Sequence, residues 1–165
     1  MTTGLFIGRF QPFHLGHLND VKVALKECDE LIIAIGSSQY SNKPDNPFSY
    51  EERKEMIEKV LKSNKIRNCR ICPVTDINDH SRWVAHVKKS VPHFDIVYTA
   101  NPFTEELFRK SEHDIKIVHL IEGINATKVR DFMKEGKEWK ALVPKEVALF
   151  IEKIEGQKRM KGVHF

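Results

Sequence analysis

Short apolar runs alternate along the chain with segments whose apolar residues recur at helical spacing. The run from Leu31 to Ile35 is continuous and ends at Gly36, as expected for a strand that is buried on both faces. Runs of similar length predict the strands Leu5–Ile7, Leu31–Ile35, Ile71–Val74, Asp95–Thr99 and Ile115–Leu120. Because strands that alternate with helices form right-handed βαβ crossovers, the pattern predicts an α/β fold with a parallel five-stranded sheet.

Caps as well as spacing mark the helices. Ser49 to Glu52 places a hydroxyl at a helix start and a carboxylate three residues later, which is the spacing of a capping box. Gly136 is placed to end a helix over about Ala126 to Glu135, and Pro144 is placed to begin a last helix that ends near Gly156. The remaining helices are predicted around Leu18–Cys28, Trp83–Val87 and Thr104–Lys110. We therefore expect a Rossmann-like, doubly wound sheet with helices on both faces, in a single domain over residues 1–165 that is helical from about residue 124.

Composition narrows the class of protein. The chain has 165 residues, of which 41% are apolar and 30% charged, with only 8 Gly and 7 Pro. It can build a sizeable core, which excludes disordered, collagen-like and low-complexity proteins. No run approaches the ~18 apolar residues of a membrane span. The amino terminus lacks the basic and apolar regions of a secretory leader, since the apolar stretch from Leu5 to Gly8 is far too short. We expect a soluble cytoplasmic protein that does not bind membranes.

Charge and cysteine content change this picture little. The net charge of +4 suits an anionic small ligand as well as it suits nucleic acid, and Lys158, Arg159 and Lys161 are expected to form a solvated end.

Three cysteines do not make a disulfide framework in a domain that builds its own core. Cys69 and Cys72 have metal-ligand spacing, but they stand alone, and in a strand they would point to opposite faces. We expect no zinc or redox site there.

The first strand is followed by a glycine-flanked turn that carries two histidines. His14 and His17 are three residues apart at the start of a helix, so they share one face of it. Backbone N–H groups point outward at a helix start and the helix dipole is positive there, which favours an anion. Gly8 and Gly16 allow the backbone to approach a ligand, and Pro12 stiffens the turn. A lone histidine would carry little meaning, but the pair in this setting predicts a phosphate site.

The residues from Gly8 to His17 follow the pattern Gly-x-Phe-x-Pro-x-His-x-Gly-His, which resembles the signature of the nucleotidyltransferase superfamily. The fuller string Gly-Arg-Phe-Gln-Pro-Phe-His is most similar to archaeal nicotinamide-nucleotide adenylyltransferases, and the similarity covers nearly the whole chain. It implies transfer of AMP from ATP to nicotinamide mononucleotide (NMN), giving NAD and pyrophosphate, with Mg²⁺ bridging phosphate oxygens of the substrate. It also implies a homo-oligomer. We separately expect no binding of nucleic acid.

The resemblance implies roles for individual residues as well. The catalytic residues would be His14, His17 and Arg130, with His17 nearest the α-phosphoryl group. The residues that would bind ATP are Ile7, Gly8, Arg9, Phe10, His14, Gly16, His17, Lys43, Ile124, Asn125, Thr127 and Arg130. The residues that would bind the nicotinamide nucleotide are Gly36, Ser37, Asp76, Trp83, Asn101 and Pro102. No metal-binding side chains are implied.

Several of these residues also have structural interpretations. Trp83 would stack on the nicotinamide ring, but it can instead pack in the core with Val84 and Val87. Asp76 can hold a ribose hydroxyl or cap a helix, and Asn101 stands in an ordinary Asn-Pro turn. Three positions depart from the family pattern: Lys43 for an arginine, Asn125 for a serine and Asp131 for a second basic residue.

The same scaffold can also serve other functions. One alternative is another nucleotidyltransferase with phosphopantetheine, FMN or a cytidylyl acceptor as its substrate. Another is a non-catalytic domain that senses nucleotides or binds nucleic acid. Adenylyl transfer requires no enzyme nucleophile, because the acceptor phosphate itself attacks ATP. That agrees with the lack of a convincing Ser-His-Asp or Cys-His arrangement in the sequence.

Overall fold

The computed structural model describes residues 1–118, 121 and 123–161. The strands are β1 (Thr3–Gly8), β2 (Glu30–Ile35), β3 (Cys69–Pro73), β4 (Ile96–Thr99) and β5 (Asp114–Ile117). The α-helices are α1 (Leu15–Leu25), α2 (Tyr50–Ser63), α3 (His80–Ser90), α4 (Pro102–Lys110), α5 (Ala126–Glu135) and α6 (Lys145–Lys153). Two 3-10 helices lie at Lys140–Leu142 and Gly156–Lys161. Every predicted strand and helix is present.

The element boundaries differ from the prediction at the C-terminal side. Pro144 is the residue before α6 and has an extended ψ of 148°, so it does not open the helix. Helix α6 ends at Lys153 because Glu155 takes a left-handed φ of 55°, and the chain continues from Gly156 as a 3-10 helix. Strand β5 ends at Ile117. Residues 119 and 120, which the predicted fifth strand included, lie outside the described residues.

The chain forms two compact units, which we describe separately. The sheet unit comprises the described residues of Met1–Gly8, Asp20–Ser38 and Asn68–His119. The helical unit comprises those of Arg9–Asn19, Gln39–Arg67 and Leu120–Phe165. The expectation of a single nucleotidyltransferase domain over residues 1–165 stays a prediction.

The sheet unit contains one parallel sheet in the strand order β3-β2-β1-β4-β5. The chain runs outward from β1 to β3 and then returns to β4 on the other side of β1, so the strand order reverses between β1 and β4. In such sheets, ligands bind at the carboxyl ends of the strands beside this reversal. The Rossmann-like α/β fold is therefore confirmed.

The central strands of the sheet are buried on both faces. On one face, Leu5 and Ile32 pack with Val87 of α3 and Phe108 of α4. Ile33 follows Ile32 and therefore points to the opposite face, where it is also fully buried. The continuous apolar run in β2 is explained by this double burial, which contributes on the order of 2 kcal/mol for each large side chain.

In the helical unit, α2 packs against α6, and α5 packs against the 3-10 helix Gly156–Lys161. Helix α2 begins with the predicted capping box. The Ser49 hydroxyl accepts the Glu52 N–H at 3.1 Å, and the Glu52 carboxylate accepts the Ser49 N–H at 2.9 Å. Helix α5 ends at Gly136, whose left-handed φ of 71° releases the chain from the helix, as the sequence predicted.

Among the described residues, no helix combines the length and the apolar character needed to cross a bilayer. The same part of the chain contains no group of three or more His, Cys, Asp or Glu side chains placed to hold a metal ion. Its cysteines, Cys28, Cys69 and Cys72, are free thiols. Burial raises the pKa of Cys69 to about 12, so this thiol is protonated and poorly reactive at neutral pH.

Replacement of Gly4 by alanine should destabilise the sheet unit. A Cβ at Gly4 would lie 2.7 Å from Cε2 of Tyr98 and 3.1 Å from Sγ of Cys28, and the Tyr98 ring is itself buried. We expect Gly4→Ala to lower the free energy of unfolding by ~1–3 kcal/mol, measured by urea titration.

Gly36→Ala is the matched control for this substitution. Its added Cβ would lie 3.6 Å from the Gly8 carbonyl oxygen, which is ordinary van der Waals contact. The control should change the free energy of unfolding by no more than ~0.5 kcal/mol. Equal stability of the Gly4→Ala and Gly36→Ala proteins would contradict this description of the β1 packing.

Candidate active site

The loop between β1 and α1 has a backbone that packing holds in a sparsely populated conformation. Phe10 has a left-handed φ of 53°, which is uncommon for a residue with a bulky side chain. Its ring is buried, as is that of Phe13, and their centroids lie 5.8 Å apart. Burial of the two rings offsets the cost of this backbone conformation, on the order of 1 kcal/mol. The loop therefore delivers His14 to the start of α1 in a defined position.

His14 and His17 cap the start of α1 reciprocally. The backbone N–H of His14 donates to Nδ1 of His17 at 3.1 Å, and the backbone N–H of His17 donates to Nδ1 of His14 at 3.3 Å. The two rings are stacked, with centroids 3.6 Å apart and planes 20° from parallel. This is the geometry of a capping box in which imidazoles replace the usual hydroxyl and carboxylate. The prediction that the pair shares one face of the helix is confirmed.

The crossed hydrogen bonds determine the protonation of both rings. A ring nitrogen that accepts a hydrogen bond carries no proton, so the proton of each neutral imidazole lies on Nε2. Burial lowers the pKa of His14 to about 4, and burial together with the neighbouring His14 lowers the pKa of His17 well below its ordinary value. Both rings are therefore neutral at pH 7, and each presents Nε2–H as a hydrogen-bond donor.

Two buried arginines anchor the backbone of the same loop. The Arg53 side chain is fully buried and donates from Nη1 to the Arg9 carbonyl at 2.9 Å. Arg130 of α5 is 9% exposed and donates from Nη1 to the Gln11 carbonyl at 2.8 Å. Its Nη2 donates to the Thr127 hydroxyl at 3.3 Å, one turn earlier in α5. Guanidinium groups therefore hold two successive parts of the loop that leads to His14.

These arginines also concentrate positive charge in the helical unit. Burial and the charge of Arg9 lower the pKa of Arg53 to about 10, and the same two causes lower the pKa of Arg130. Asp45 and Asp131 act in the opposite direction on Arg130. Like charges held close together destabilise one another unless an anion joins them, so this arrangement favours binding of a phosphate group.

A cavity of about 600 Å³ lies beside Arg130, within the helical unit. Thr127, Arg130 and Lys134 line it from α5, and Asp45 and Met160 line it from other segments. The volume is in the range of small-ligand sites. Cationic and hydroxyl side chains on one helix face fit the phosphate end of a nucleotide.

The start of α5 is built as the sequence predicted. Asn125 is the N-cap, and its Oδ1 accepts the Lys128 N–H at 2.8 Å, so asparagine replaces serine here without loss of the cap. Ile124 lies just before it and is partly buried, and Thr127 is exposed. Asp131 stands where the family pattern has a second basic residue, and its carboxylate lines the cavity beside Arg130.

Lys43 lies in a tight turn that an antiparallel bridge to Asn46 closes. Its ammonium group sits 4.5 Å from the centroid of the Tyr40 ring, so the cation is held by an aromatic face in this structure. The predicted contact of Lys43 with ATP stays a prediction. The prediction for Arg159 was wrong. Arg159 was expected in a solvated end, but its side chain is only 15% exposed and forms a bidentate ion pair with Glu52. The reason is a carboxylate 107 residues earlier in the chain, which no local pattern reveals.

Sequence reasoning missed Gln11, Phe48 and Arg53. The Gln11 amide pairs with both backbone groups of Phe48: Nε2 donates to the carbonyl and Oε1 accepts the N–H, each at 2.9 Å. The sequence did indicate that Arg53 is buried. Arg53 precedes Met56 by three residues and Ile57 by four, so it lies on the predicted apolar face of α2. Gln11 and Phe48 carried no such signal, since their pairing joins distant segments.

The residues predicted for the nicotinamide nucleotide lie in the sheet unit, after strand ends. Gly36 follows β2 and donates its N–H to the carbonyl of Gly8, the last residue of β1, at 2.8 Å. Ser37, the residue after Gly36, has a left-handed φ of 47°. Ile7, which was predicted to bind ATP, precedes Gly8 in β1. The carboxyl ends of the two neighbouring strands are thereby tied together through the backbone.

The loop after β3 shows which of the proposed aspartate roles the fold uses. Asp79, not Asp76, caps α3, accepting the Ser81 N–H at 3.1 Å. Asp76 accepts the Asn78 N–H at 2.9 Å within the loop. Trp83 is partly buried against the sheet core, edge-on to Phe108 with centroids 5.6 Å apart. Trp83 therefore does take part in core packing.

The turn after β4 is a helix cap. The Asn101 Oδ1 accepts the Phe103 N–H at 2.9 Å, and Pro102 is the first residue of α4. The Asn101 N–H donates to the Thr99 hydroxyl at 3.0 Å. The structural interpretation of the Asn-Pro turn is therefore realised, and any contact of Asn101 with a nucleotide stays a prediction.

Comparison with known proteins adds family relationships to this geometry. The profile of the family described as cytidylyltransferase-like matches residues 5–149. Among curated proteins, the nicotinamide-nucleotide adenylyltransferase of Thermoplasma volcanium is 41% identical over 157 residues, covering 94% of this chain and 88% of that protein. The enzyme of the same name from Archaeoglobus fulgidus is 42% identical over 167 residues, covering 96% of this chain and 95% of that protein.

Two solved structures from Francisella tularensis are also similar. One is a bifunctional NMN adenylyltransferase/ADP ribose pyrophosphatase complexed with AMP and a Mn ion, 28% identical with a TM-score of 0.77. The other is the same bifunctional protein, 27% identical with a TM-score of 0.80. Each match covers 96% of this chain and 52% of the solved chain, so the present chain spans about half the length of that protein.

The buried histidine pair should make the protein less stable in mild acid. The pKa of His14 is about 4 in the folded chain against an ordinary value of 6.5, and that of His17 is also lowered. Between these values the unfolded chain binds protons that the folded chain excludes, so the free energy of unfolding falls as the pH falls. The slope should approach ~1.4 kcal/mol per pH unit for each histidine, measured by urea titration at about pH 7.5, 6 and 5.

A variant with His14→Asn and His17→Gln serves as the reference. Asparagine and glutamine can replace the two caps but do not titrate, and the carboxylates that titrate in acid are common to both proteins. The difference in slope between wild type and variant isolates the histidines. Identical pH dependence of the two proteins would contradict the neutral, buried state of the pair.

Proposed function

The chain belongs to the cytidylyltransferase-like family and, within it, to the nicotinamide-nucleotide adenylyltransferases. We propose that it transfers AMP from ATP to NMN, forming NAD and pyrophosphate. This membership confirms the resemblance and the nucleotidyltransferase class predicted from the sequence. The observation that carries the assignment of the site is the reciprocal cap, which makes two imidazoles neutral donors at the end of a loop that Arg53 and Arg130 hold.

The reaction needs positioning more than covalent chemistry. An oxygen of the NMN phosphate attacks the α-phosphorus of ATP in line. The bond from that phosphorus to the bridging oxygen of the β-phosphate breaks, and pyrophosphate leaves with the electron pair. The attacking phosphate is already an anion, so no enzyme base is required. The task of the protein is to align the two substrates and to stabilise the charge on the transferred group.

The histidine pair is assigned to the transferred phosphoryl group. Nε2–H of His17 donates to an oxygen of the α-phosphate, where charge develops as the new bond forms, and Nε2–H of His14 donates to a neighbouring phosphate oxygen. Because the caps fix both rings before ATP arrives, no reorganisation is needed during the reaction. The residues proposed to contact adenosine are Ile7, Gly8, Arg9, Phe10 and Gly16.

The remaining phosphates are assigned to the start of α5. Arg130 and Thr127 hold the β- and γ-phosphates, with support from Asn125, Ile124 and Lys43. Mg²⁺ enters as part of the MgATP substrate and is held mainly by phosphate oxygens and water. That proposal fits Asp45 and Asp131, whose carboxylates line the same cavity and interact electrostatically with Arg130.

The nicotinamide nucleotide is assigned to the residues after the strand ends of the sheet unit. Trp83 supplies an aromatic face for the cationic pyridinium ring, an interaction worth ~0.5–2 kcal/mol. Its partly buried position leaves part of the indole exposed to a ligand. Asp76 is proposed for a ribose hydroxyl. The other residues proposed to contact the nicotinamide nucleotide are Gly36, Ser37, Asn101 and Pro102.

Three further properties are proposed on the family relationship. The protein works in the cytoplasm, as expected of an enzyme whose substrates are soluble nucleotides. It forms a homo-oligomer. Its partners are ATP and NMN, with no nucleic acid and no membrane.

A direct assay tests the proposed function. Purified protein with MgATP and NMN should produce NAD and pyrophosphate in equal amounts, detected by chromatography and a coupled pyrophosphate assay. Parallel reactions replace NMN with its deamido form, phosphopantetheine or FMN, and ATP with CTP. Product with one of the other acceptors alone would assign a different nucleotidyltransferase. No product with any acceptor would indicate the nucleotide-sensing alternative.

Removal of the imidazole donors should abolish most of the turnover without loss of the fold. His14→Asn and His17→Gln retain cap acceptors for the start of α1 but lack the imidazole Nε2–H donor. We expect each substitution to lower kcat by ~10²–10³-fold. His93→Gln, which changes an exposed histidine paired with Asp95, is the control and should retain wild-type kcat. Near-normal kcat in the His17→Gln protein would overturn its assigned role.

Truncation of Trp83 should affect one substrate selectively. We expect Trp83→Ala to raise KM for NMN by ~2- to 30-fold, from the loss of the cation–π contact, with KM for ATP nearly unchanged. Trp83→Phe keeps an aromatic ring next to Phe108 and should retain most of the NMN affinity. Steady-state kinetics with each substrate varied in turn makes the measurement. Equal changes in both KM values, or a loss of stability alone, would favour a purely structural Trp83.

A further inference from the structure

The 3-10 helix Gly156–Lys161 is packed tightly against the segment that precedes α2. Gly156 lies so close to Phe48 that an added Cβ would be 2.7 Å from Cε1 of the ring. Arg159 donates from Nη1 to the Pro47 carbonyl at 2.9 Å, and its guanidinium carbon lies 5.7 Å from the Phe48 ring centroid. The C-terminal 3-10 helix therefore contacts Pro47 and Phe48 through both backbone and ring.

Arg159 is fixed in this position by Glu52. Nη1 and Nη2 donate to the two carboxylate oxygens at 2.6 and 2.7 Å, and both side chains are largely buried, with 15% and 22% exposed. Such bidentate pairs specify geometry as well as adding energy. Glu52 also accepts the Ser49 N–H in the capping box, so one carboxylate couples Arg159 to the start of α2.

The Pro47–Phe48 segment in turn holds the histidine loop. Both backbone groups of Phe48 pair with the Gln11 side chain at 2.9 Å, and the Gln11 carbonyl accepts from Arg130 at 2.8 Å. Gln11 lies three residues before His14. An unbroken series of buried contacts thus runs from Arg159 through Phe48 and Gln11 to the loop that carries the imidazoles.

We propose that Arg159 is a positioning residue for adenylyl transfer, acting through Phe48 and Gln11 on the histidine loop and on Arg130. This inference rests on the proposed function and adds a residue that touches no substrate. Loss of the guanidinium frees the Pro47–Phe48 segment to shift, and the Gln11 amide loses the fixed backbone partner that aligns it. Misplacement of reacting groups by even ~1 Å can lower a rate a hundredfold, so the effect falls on kcat.

The test compares Arg159→Gln and Arg159→Lys with Lys158→Ala. Lys158 lies in the same 3-10 helix but pairs with Glu155 on the exposed side, so it is a matched control. We expect kcat to fall at least ~10-fold in Arg159→Gln, with KM for NMN within about twofold of wild type. Arg159→Lys should recover only part of the loss, because an ammonium group cannot form the bidentate pair. Lys158→Ala should match wild type.

Amide hydrogen exchange provides a readout that does not depend on the reaction. In Arg159→Gln, the amides of the non-proline residues in 9–14 and 46–49 should exchange faster by about tenfold or more, while the amides of β1 and β2 stay protected. A purely structural role would instead increase exchange across the helical unit with kcat unchanged at temperatures where the protein is folded.

The outcomes separate this inference from the proposed function. A wild-type protein that forms no NAD while exchange responds as expected would contradict the proposed function only. An active wild type with unchanged kcat and unchanged exchange in Arg159→Gln would overturn the role of Arg159. If Arg159→Gln does not fold, kcat is compared instead between the wild type and the Arg159→Lys and Glu52→Gln proteins. Wild-type kcat in both of those proteins would likewise overturn it.

Discussion

The structure depends on one constraint at the start of α1, where two histidines satisfy the backbone N–H groups that a helix start leaves unpaired. In the usual capping box a serine or threonine and a glutamate or glutamine perform this task, as Ser49 and Glu52 do for α2. Use of imidazoles for the same purpose has a chemical consequence. Each Nδ1 is committed as an acceptor, so each Nε2 carries the proton, and the pair becomes a preformed set of neutral donors.

Neutral donors suit a site that already contains several cations. The charge of Arg9 lowers the pKa of both Arg53 and Arg130, and additional charge on the histidines would destabilise the site in the absence of ligand. Two of these arginines also hold backbone carbonyls of the histidine loop. The same buried groups therefore provide both the field that attracts a phosphate and the anchors that keep the loop in place.

Local patterns predicted most of the fold. Apolar runs located the strands, and the Ser49 box and the Gly136 end located helices, because each signal acts within a few residues. The histidine pair was predicted for the same reason. Their reciprocal hydrogen bonds were not, since the spacing of two histidines does not specify which ring nitrogen accepts.

The remaining features depend on contacts between distant segments. Arg159 looked like part of a basic tail, and only the folded chain brings Glu52 to it. Gln11 pairs with Phe48 across 37 residues, which no periodicity encodes. Arg53 could be predicted in part. Its place on the apolar face of α2 indicated burial, but only the structure shows that it binds the carbonyl of Arg9.

The most direct measurement of the central claim is nitrogen NMR of the histidine rings at neutral pH, with His14 and His17 assigned by their Asn and Gln variants. Long-range proton–nitrogen correlations report which nitrogen of each ring carries the proton. The account predicts both rings neutral with the proton on Nε2, and a change at both Nε2 nitrogens, with Nδ1 still unprotonated, when MgATP is added. A proton on Nδ1 of either ring, or Nε2 signals that do not respond to ATP, would contradict it.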